Sequence, residues 1–129
     1  MATAARENSM ALANMSDLNA LVRQIFASKM DESSRFAEHA QETLHRGVAR
    51  RYRDTKSLGV KQAPFYVLIG AQMPSILAEV SFINHKTEGK RLADPKYRQL
   101  LAESLADGVQ RYADSVKTAA APAAKRKTN

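Results

Sequence analysis

Glu79 is the side chain in this sequence whose surroundings most clearly suggest chemistry. It is the only acidic residue between Asp54 and Glu88, and it lies inside the apolar run SILAEVSF, residues 75–82. Burying an ionised carboxylate in such a run costs several kcal/mol unless the charge is paired or bound. Glu79 is therefore a candidate general base in a crevice. A salt bridge to a buried arginine and simple exposure at a strand end are the alternatives.

A weaker candidate is the group His39, Glu42 and His45, which recur at intervals of three on a predicted helix. An ExxH pair is half of the di-iron motif of helical bundles, but that motif needs a second copy, and the sequence holds none. The same residues fit the solvated face of an amphipathic helix. We favour that interpretation and expect no metal ligands from these residues.

Four arginines surround Tyr52 near the end of the same predicted helix: Arg46, Arg50, Arg51 and Arg53. Such a cluster could bind phosphates while the ring stacks on a base, and the formal net charge of +7 would attract any polyanion. Cations are equally typical of the last turn of a helix, where they complement the helix dipole. A small basic nucleic-acid-binding protein is therefore an alternative function and not the preferred one.

Length and composition narrow the class of protein. The 129 residues fit one domain, and the lack of cysteine excludes disulfide frameworks, thiolate zinc sites and cysteine nucleophiles. No stretch approaches the roughly 18 consecutive apolar residues of a membrane span. Residues 1–15 lack the cationic and apolar regions of a secretory signal. The sequence therefore predicts a folded chain without a signal peptide or a membrane span.

Helical periodicity predicts three main helices, which begin at Ser16, at Asp31 and at Asp94. The second ends near Arg53, and the third has Asp94 as its N-cap with Pro95 in the first turn. Apolar residues at helical spacing predict the faces that pack inward: Phe36, Ala40, Leu44 and Val48 in the second helix, and Tyr97, Leu101, Leu105, Val109, Tyr112 and Val116 in the third.

Two short runs, residues 64–70 and 75–82, predict strands separated by a turn at Met73 and Pro74. Both are almost continuously apolar, as strands buried on both faces of a parallel sheet are. The predicted fold class is therefore α/β, with a mostly parallel sheet covered by helices. Two such strands do not form a stable sheet alone. Either the chain oligomerises through its sheet or it is the C-terminal part of a larger domain, and we favour the second.

The segment from Gly59 to Tyr112 resembles the C-terminal half of the zinc-dependent N-acetylmuramoyl-L-alanine amidases, the murein amidases of the bacterial cell wall. Residues 4–9 and 32–41 also resemble a segment of that family. The positions that carry the resemblance are Val67, Leu68, Pro74, Leu77, Glu79, Phe82 and Asn84.

The resemblance implies a hydrolase that cleaves the amide between N-acetylmuramic acid and the L-alanine of the stem peptide in peptidoglycan. In the family, two histidines and a glutamate hold zinc, and a second glutamate, which matches Glu79, acts as general base and acid. The zinc ligands belong to the first half of the family domain, and the GHGG-type turn that carries the first of them is absent from this sequence. Zinc ligands are therefore not expected in this chain.

This resemblance also predicts the organisation of the chain. Residues 1–117 would be a partial amidase catalytic domain that lacks its N-terminal half, and residues 118–129 a flexible basic tail. The isolated chain is then expected to be inactive, and its full-length parent to act in the periplasm or cell envelope. A non-catalytic interaction protein, whose unpaired strands join a partner's sheet, is a further alternative.

Overall fold

The computed structural model describes residues 20–63 and 65–120, which contain four helices. These are α1 (Ala20–Ala49), α2 (Tyr66–Ile69), α3 (Lys86–Ala93) and α4 (Pro95–Ala120). The helices predicted from Ser16 and Asp31 are one continuous helix, because neither glycine nor proline interrupts the chain between them; Ser16 itself lies outside the described residues. None of the four helices in this part of the chain is both long and apolar enough to cross a membrane.

The start of α4 agrees with the sequence. Asp94 precedes Pro95, and its Oδ1 accepts a hydrogen bond from the Lys96 amide at 2.9 Å, as an N-cap does. The Arg98 amide then donates to the Asp94 carbonyl at 3.2 Å, which is the first turn of the helix. At the other end α4 continues to Ala120, and residues 121–129, which make up most of the predicted basic tail, lie outside the described residues.

α1 and α4 pack side by side and run in opposite directions. Gly47, near the end of α1, lies against Ser104 in the first half of α4. Phe36, earlier in α1, stacks on Tyr112 later in α4 with ring centroids 5.0 Å apart. The core cluster at one end of this contact comprises the buried Val48, Tyr97 and Leu101, with the partly buried Leu44, Tyr52 and Leu92 packed around it.

The middle of the contact is made of small residues that let the two backbones approach closely. A Cβ atom added to Gly108 would lie 2.7 Å from Thr43 Oγ1 and 2.8 Å from Ala40 Cα. Thr43 and Ala40 are themselves buried, with 2% and 3% of their surface exposed. Thr43 satisfies its hydroxyl by donating to carbonyls of its own helix, so no polar atom of the side chain is left without a partner.

Tyr112 marks the other end of the contact. Its hydroxyl donates to Glu32 Oε2 at 3.1 Å. Burial raises the pKa of Tyr112, and the hydrogen bond to Glu32 adds to the effect, because both disfavour the phenolate.

The predicted apolar face of α1 is confirmed, but that of α4 is only partly correct. Tyr97 and Leu101 are buried, whereas Val109 and Val116 keep 50% and 43% of their surface exposed. Ser104 and Gly108, which no apolar pattern includes, are buried in contact with α1 instead. The contact surface of α4 therefore follows the small residues as much as the apolar ones.

The first predicted strand, residues 64–70, is wrong, because residues 66–69 form the short helix α2. Lys29 on α1 donates from Nζ to the Leu68 carbonyl oxygen at 3.0 Å and ties this turn to the long helix. A short apolar run fits a buried strand and a helical turn equally well, so its pattern alone does not decide between them.

The second predicted strand is also wrong, because residues 75–82 form neither a helix nor a strand and no strand occurs in residues 20–63 and 65–120. A sheet requires a neighbour that exchanges backbone hydrogen bonds. Side chains of the helices bind this segment near its two ends instead, as described below. The predicted α/β fold with a mostly parallel sheet is therefore wrong for the described residues, which form a helical structure.

Replacing Gly108 with alanine tests the close approach of α1 and α4. The new methyl group would crowd the α1 backbone at Ala40, at a cost of about 1–3 kcal/mol. Alanine has a higher helix propensity than glycine, which offsets about 1 kcal/mol of this cost. We expect Gly108→Ala to lower the free energy of unfolding by about 1 kcal/mol, measured by urea denaturation with far-ultraviolet circular dichroism.

Gly70→Ala is the matched control, since a Cβ atom at Gly70 meets no atom within 4 Å and the backbone there is in the right-handed helical region. Its free energy of unfolding should stay within about 0.5 kcal/mol of the original. A Gly108→Ala variant that is more stable than the original chain would contradict the close helix contact.

Candidate functional site

Glu79 lies in the segment of residues 75–82, which has no regular secondary structure, and it is exposed. The expectation that the segment buries this carboxylate is wrong, because no layer of the described residues covers it; Val80 and Phe82 keep 36% and 51% of their surface exposed. Of the alternatives drawn from the sequence, simple exposure is the one that the structure shows. An exposed carboxylate is accessible to a substrate and to water.

Hydrogen bonds near both ends hold the segment that carries Glu79. Near its start, the Ser75 amide donates to Ser33 Oγ on α1 at 3.1 Å. Near its end, Ser81 Oγ lies 3.0 Å from the Tyr97 hydroxyl on α4, within hydrogen-bonding distance. The backbone that presents Glu79 is thus attached to the two long helices of the core.

The end of the segment is also joined to α3. The Phe82 amide donates to Glu88 Oε2 at 2.7 Å, while His85 caps α3 by accepting a hydrogen bond from the Glu88 amide at Nδ1 at 3.3 Å. Glu88 therefore bonds through its amide to the cap His85 and through its carboxylate to Phe82, three residues before the cap. A histidine three residues ahead of a glutamate at a helix start resembles a capping box, which is the signal that could have located this anchor.

Tyr97, which binds Ser81, is fixed from its other side. Its ring meets the Tyr52 ring edge-on, with centroids 5.1 Å apart, and the guanidinium of Arg91 lies 4.6 Å from the centre of the Tyr52 ring. Arg91 also donates from Nη2 to both carboxylate oxygens of Asp54 at 2.8 Å. This hydrogen bond from Arg91 holds the pKa of the Asp54 carboxyl below its usual value.

A cavity of about 490 Å³ adjoins the start of the same segment. Ser75, Ile76 and Leu77 form part of its wall, facing Lys29 and Met30 of α1. Its volume lies in the range of about 300–1,000 Å³ found for ligand pockets. Glu79 lies two residues after Leu77 in the sequence, but it does not line the cavity.

The histidine group predicted from the sequence does not form a donor set. The His39 ring packs against Tyr112 with centroids 6.3 Å apart, and Glu42 is paired with Arg46 at 3.1 Å. Nδ1 of His45 is buried and makes no hydrogen bond to the described residues. Within residues 20–63 and 65–120, no group of three histidine, cysteine, aspartate or glutamate side chains is arranged to hold a metal ion. Zinc therefore does not fit the described residues by themselves.

The arginine cluster does not combine with Tyr52 in the way that base stacking requires. Tyr52 is partly buried between Tyr97 and Arg91, so its ring is already occupied. Arg46 is engaged by Glu42 and lies 3.6 Å from Asp107. The geometry of Tyr52 thus offers no support for a nucleic-acid interface of the kind considered above.

The family model of N-acetylmuramoyl-L-alanine amidases matches residues 13–111, a span that includes Glu79 and the residues that anchor its segment. The chain belongs to this family.

Individual relatives match shorter stretches. An uncharacterized protein YqiI of Bacillus subtilis is 38% identical over 60 residues, which cover 46% of this chain and 29% of that protein. An uncharacterized cell wall amidase of Bacillus anthracis is 41% identical over 58 residues, 45% of this chain and 11% of the relative. N-acetylmuramoyl-L-alanine amidase LytC of Bacillus subtilis is 35% identical over 80 residues, 62% of this chain and 15% of the relative.

The chain therefore spans less than a third of each of these three relatives. No solved structure matches it.

Replacing Arg91 with glutamine tests the contacts that hold Tyr97 in place for Ser81. The substitution removes the guanidinium from Asp54, and we expect the pKa of the Asp54 carboxyl to rise toward its ordinary value. Carbon NMR titration of the side-chain carboxyl measures the change. An unaltered Asp54 titration would contradict the ion pair.

The same pair predicts a pH dependence of stability. Because the folded-state pKa of Asp54 is lowered, its stabilising effect is present above the unfolded-state pKa and is lost as the pH falls through the lower folded-state value. The stability difference between the original chain and Arg91→Gln should therefore shrink in that acidic range. Asp54→Asn, which cannot titrate, is the control and should show no such pH dependence from this pair.

Proposed function

We propose that this chain is the part of a peptidoglycan amidase that carries the general base, Glu79, for hydrolysis of the amide between N-acetylmuramic acid and L-alanine. The observation that carries the proposal is the family match over residues 13–111, which includes the Glu79 segment. The exposed position of Glu79 between attached ends of its segment supports it, since a base must reach water and substrate without losing its orientation.

In this mechanism the carboxylate of Glu79 takes a proton from the attacking water as the new C–O bond forms at the lactyl carbonyl carbon. It then returns the proton to the nitrogen of L-alanine as the C–N bond breaks. The products are a free carboxyl group on the muramic acid and a free amino group on the stem peptide. General acid–base catalysis of this kind contributes about 10²–10⁴ to the rate.

Zinc is the cofactor that the family resemblance implies, and when bound it would polarise the carbonyl and activate the water. The described residues offer no set of metal ligands. We therefore propose that the zinc ligands lie outside the described residues. The proton transfers assigned to Glu79 require only its own carboxylate.

The short span of the match bears on what the chain needs in order to act. The matched stretches cover 11–29% of the lengths of the three relatives described above. We infer that residues 1–117 belong to a larger catalytic domain, that further residues complete the catalytic unit, and that the chain alone does not hydrolyse peptidoglycan. One relative is named as a cell wall amidase, which supports action in the cell envelope.

A chimera tests Glu79 as the base. Residues 13–111 of this chain replace the matching span of amidase LytC, and hydrolysis is followed by the release of stem peptide from purified peptidoglycan. Glu79→Gln in the chimera should lower the rate by about 100-fold or more, because the amide cannot accept the proton. The zinc content of the chimera, measured by elemental analysis, should not change.

Glu38→Gln is the matched control, because Glu38 is an exposed glutamate of α1 inside the same span. It should leave the rate within about twofold of the unmodified chimera. A Glu79→Gln chimera that keeps near-normal activity would overturn the assignment, and a loss of zinc from that variant would reassign Glu79 from base to metal site.

A further inference from the structure

Among the described residues, Tyr97 is the only member of the buried core that forms a hydrogen bond to the segment carrying Glu79. Its hydroxyl lies 3.0 Å from Ser81 Oγ, two residues after Glu79. Tyr97 keeps 3% of its surface exposed, whereas the other two anchors of the segment, Ser33 and Glu88, are half-buried. Because a hydrogen bond is stronger where water is excluded, the one from Tyr97 restrains the segment most.

The hydroxyl of Tyr97 has one partner in the part of the chain that the structure describes, and that partner is Ser81. The ring fills the core beside Val48 and Leu101, a role that phenylalanine could also perform. A buried hydroxyl without a partner would cost free energy. The hydroxyl is therefore favourable at this position because Ser81 meets it.

The ring that carries this hydroxyl is held on another side by Tyr52, which meets it edge-on with centroids 5.1 Å apart. The guanidinium of Arg91 lies 4.6 Å from the centre of the Tyr52 ring. A side chain fixed by packing can hold a group that it binds in a single orientation. Tyr97 meets that condition for Ser81.

Glu79 has no such support of its own. Within residues 20–63 and 65–120, its carboxylate makes no hydrogen bond and no ion pair. Its placement therefore depends on the backbone of residues 75–82. A misplacement of about 1 Å can lower the rate of an enzymatic reaction by about 100-fold.

From these contacts we propose that Tyr97 is a positioning residue for the hydrolysis. Its hydroxyl binds Ser81 and so holds the backbone from which the Glu79 carboxylate reaches the attacking water. Tyr97 takes up no proton and touches no substrate in this role. The inference rests on the function proposed for Glu79.

The first measurement uses the full chain labelled with nitrogen-15 and needs no activity. Tyr97→Phe removes the hydroxyl and keeps the ring. The NMR order parameters of the amides of residues 78–81 should fall from about 0.85 toward about 0.6, the values typical of rigid and flexible backbone. Those of the amides of α4 should not change.

Tyr112→Phe is the matched control. Tyr112 lies on the same helix, and its hydroxyl donates one hydrogen bond of similar length, to Glu32 at 3.1 Å. Its ring contacts are with Phe36 and His39 of α1. A merely structural role of a tyrosine hydroxyl predicts similar results for the two substitutions. Positioning of Glu79 predicts an effect of Tyr97→Phe alone.

The second measurement uses the LytC chimera described for Glu79, extended to residue 120 so that α4 is complete and includes Tyr112. Tyr97→Phe should lower kcat by about tenfold and leave KM within about twofold, because positioning acts on the chemical step. Ser81→Ala, which leaves the ring of Tyr97 in place, should give the same loss. The double substitution should cost no more than either one, since both remove the same contact. Tyr112→Phe should keep kcat within about twofold.

Three results would refute the role of Tyr97 while Glu79→Gln still abolishes hydrolysis. These are unchanged order parameters in Tyr97→Phe, a kcat within about twofold of the original in Tyr97→Phe or Ser81→Ala, and an equal loss of kcat in Tyr112→Phe. Near-normal activity of Glu79→Gln is a different outcome, because it would remove the proposed function and this inference with it.

Discussion

The contact between α1 and α4 is the constraint on which the rest of the structure depends. Gly108 allows the α4 backbone to rest directly on Ala40 and Thr43, so the distance between the helices is set by backbone atoms and not by long side chains. Backbone contacts of this kind leave little freedom to slide, because interiors are packed at the density of organic crystals. Both α2 and the Glu79 segment are attached to this pair of helices by hydrogen bonds.

The segment that carries Glu79 illustrates this dependence. It has no neighbouring strand in the described part of the chain, and its order comes from side chains of helices: Ser33 of α1, Tyr97 of α4 and Glu88 of α3. A change in how the helices pack would therefore reach Glu79 through these few hydrogen bonds. The position of Glu79 is therefore a property of the helical core.

Sequence reasoning located the helices better than it located the connections between them. The N-cap at Asp94 and the buried positions of Ala40 and Val48 follow from local rules that act within one helix. Ser104 and Gly108 escaped prediction, because their burial depends on the facing helix and a small residue carries no apolar signal. The second predicted strand failed for a related reason, since a strand exists only with a partner. The first failed because a short apolar run does not distinguish a strand from a helical turn.

The same contrast holds for the candidate site. Glu79 stood out as a lone carboxylate in an apolar run, and the family resemblance pointed to it independently. The residues that hold its segment did not stand out, because Ser33 and Ser75 are 42 positions apart and serine is common on any surface. Pairings of that range appear only when the chain is folded.

The aromatic residues give this molecule a built-in optical signal. The sequence has no tryptophan and four tyrosines. Tyr52 and Tyr97 meet at one end of the helix contact, and Tyr112 is stacked on Phe36 at the other. Near-ultraviolet dichroism and tyrosine fluorescence therefore arise largely from rings at the two ends of the α1–α4 contact, and they register its assembly without an added label.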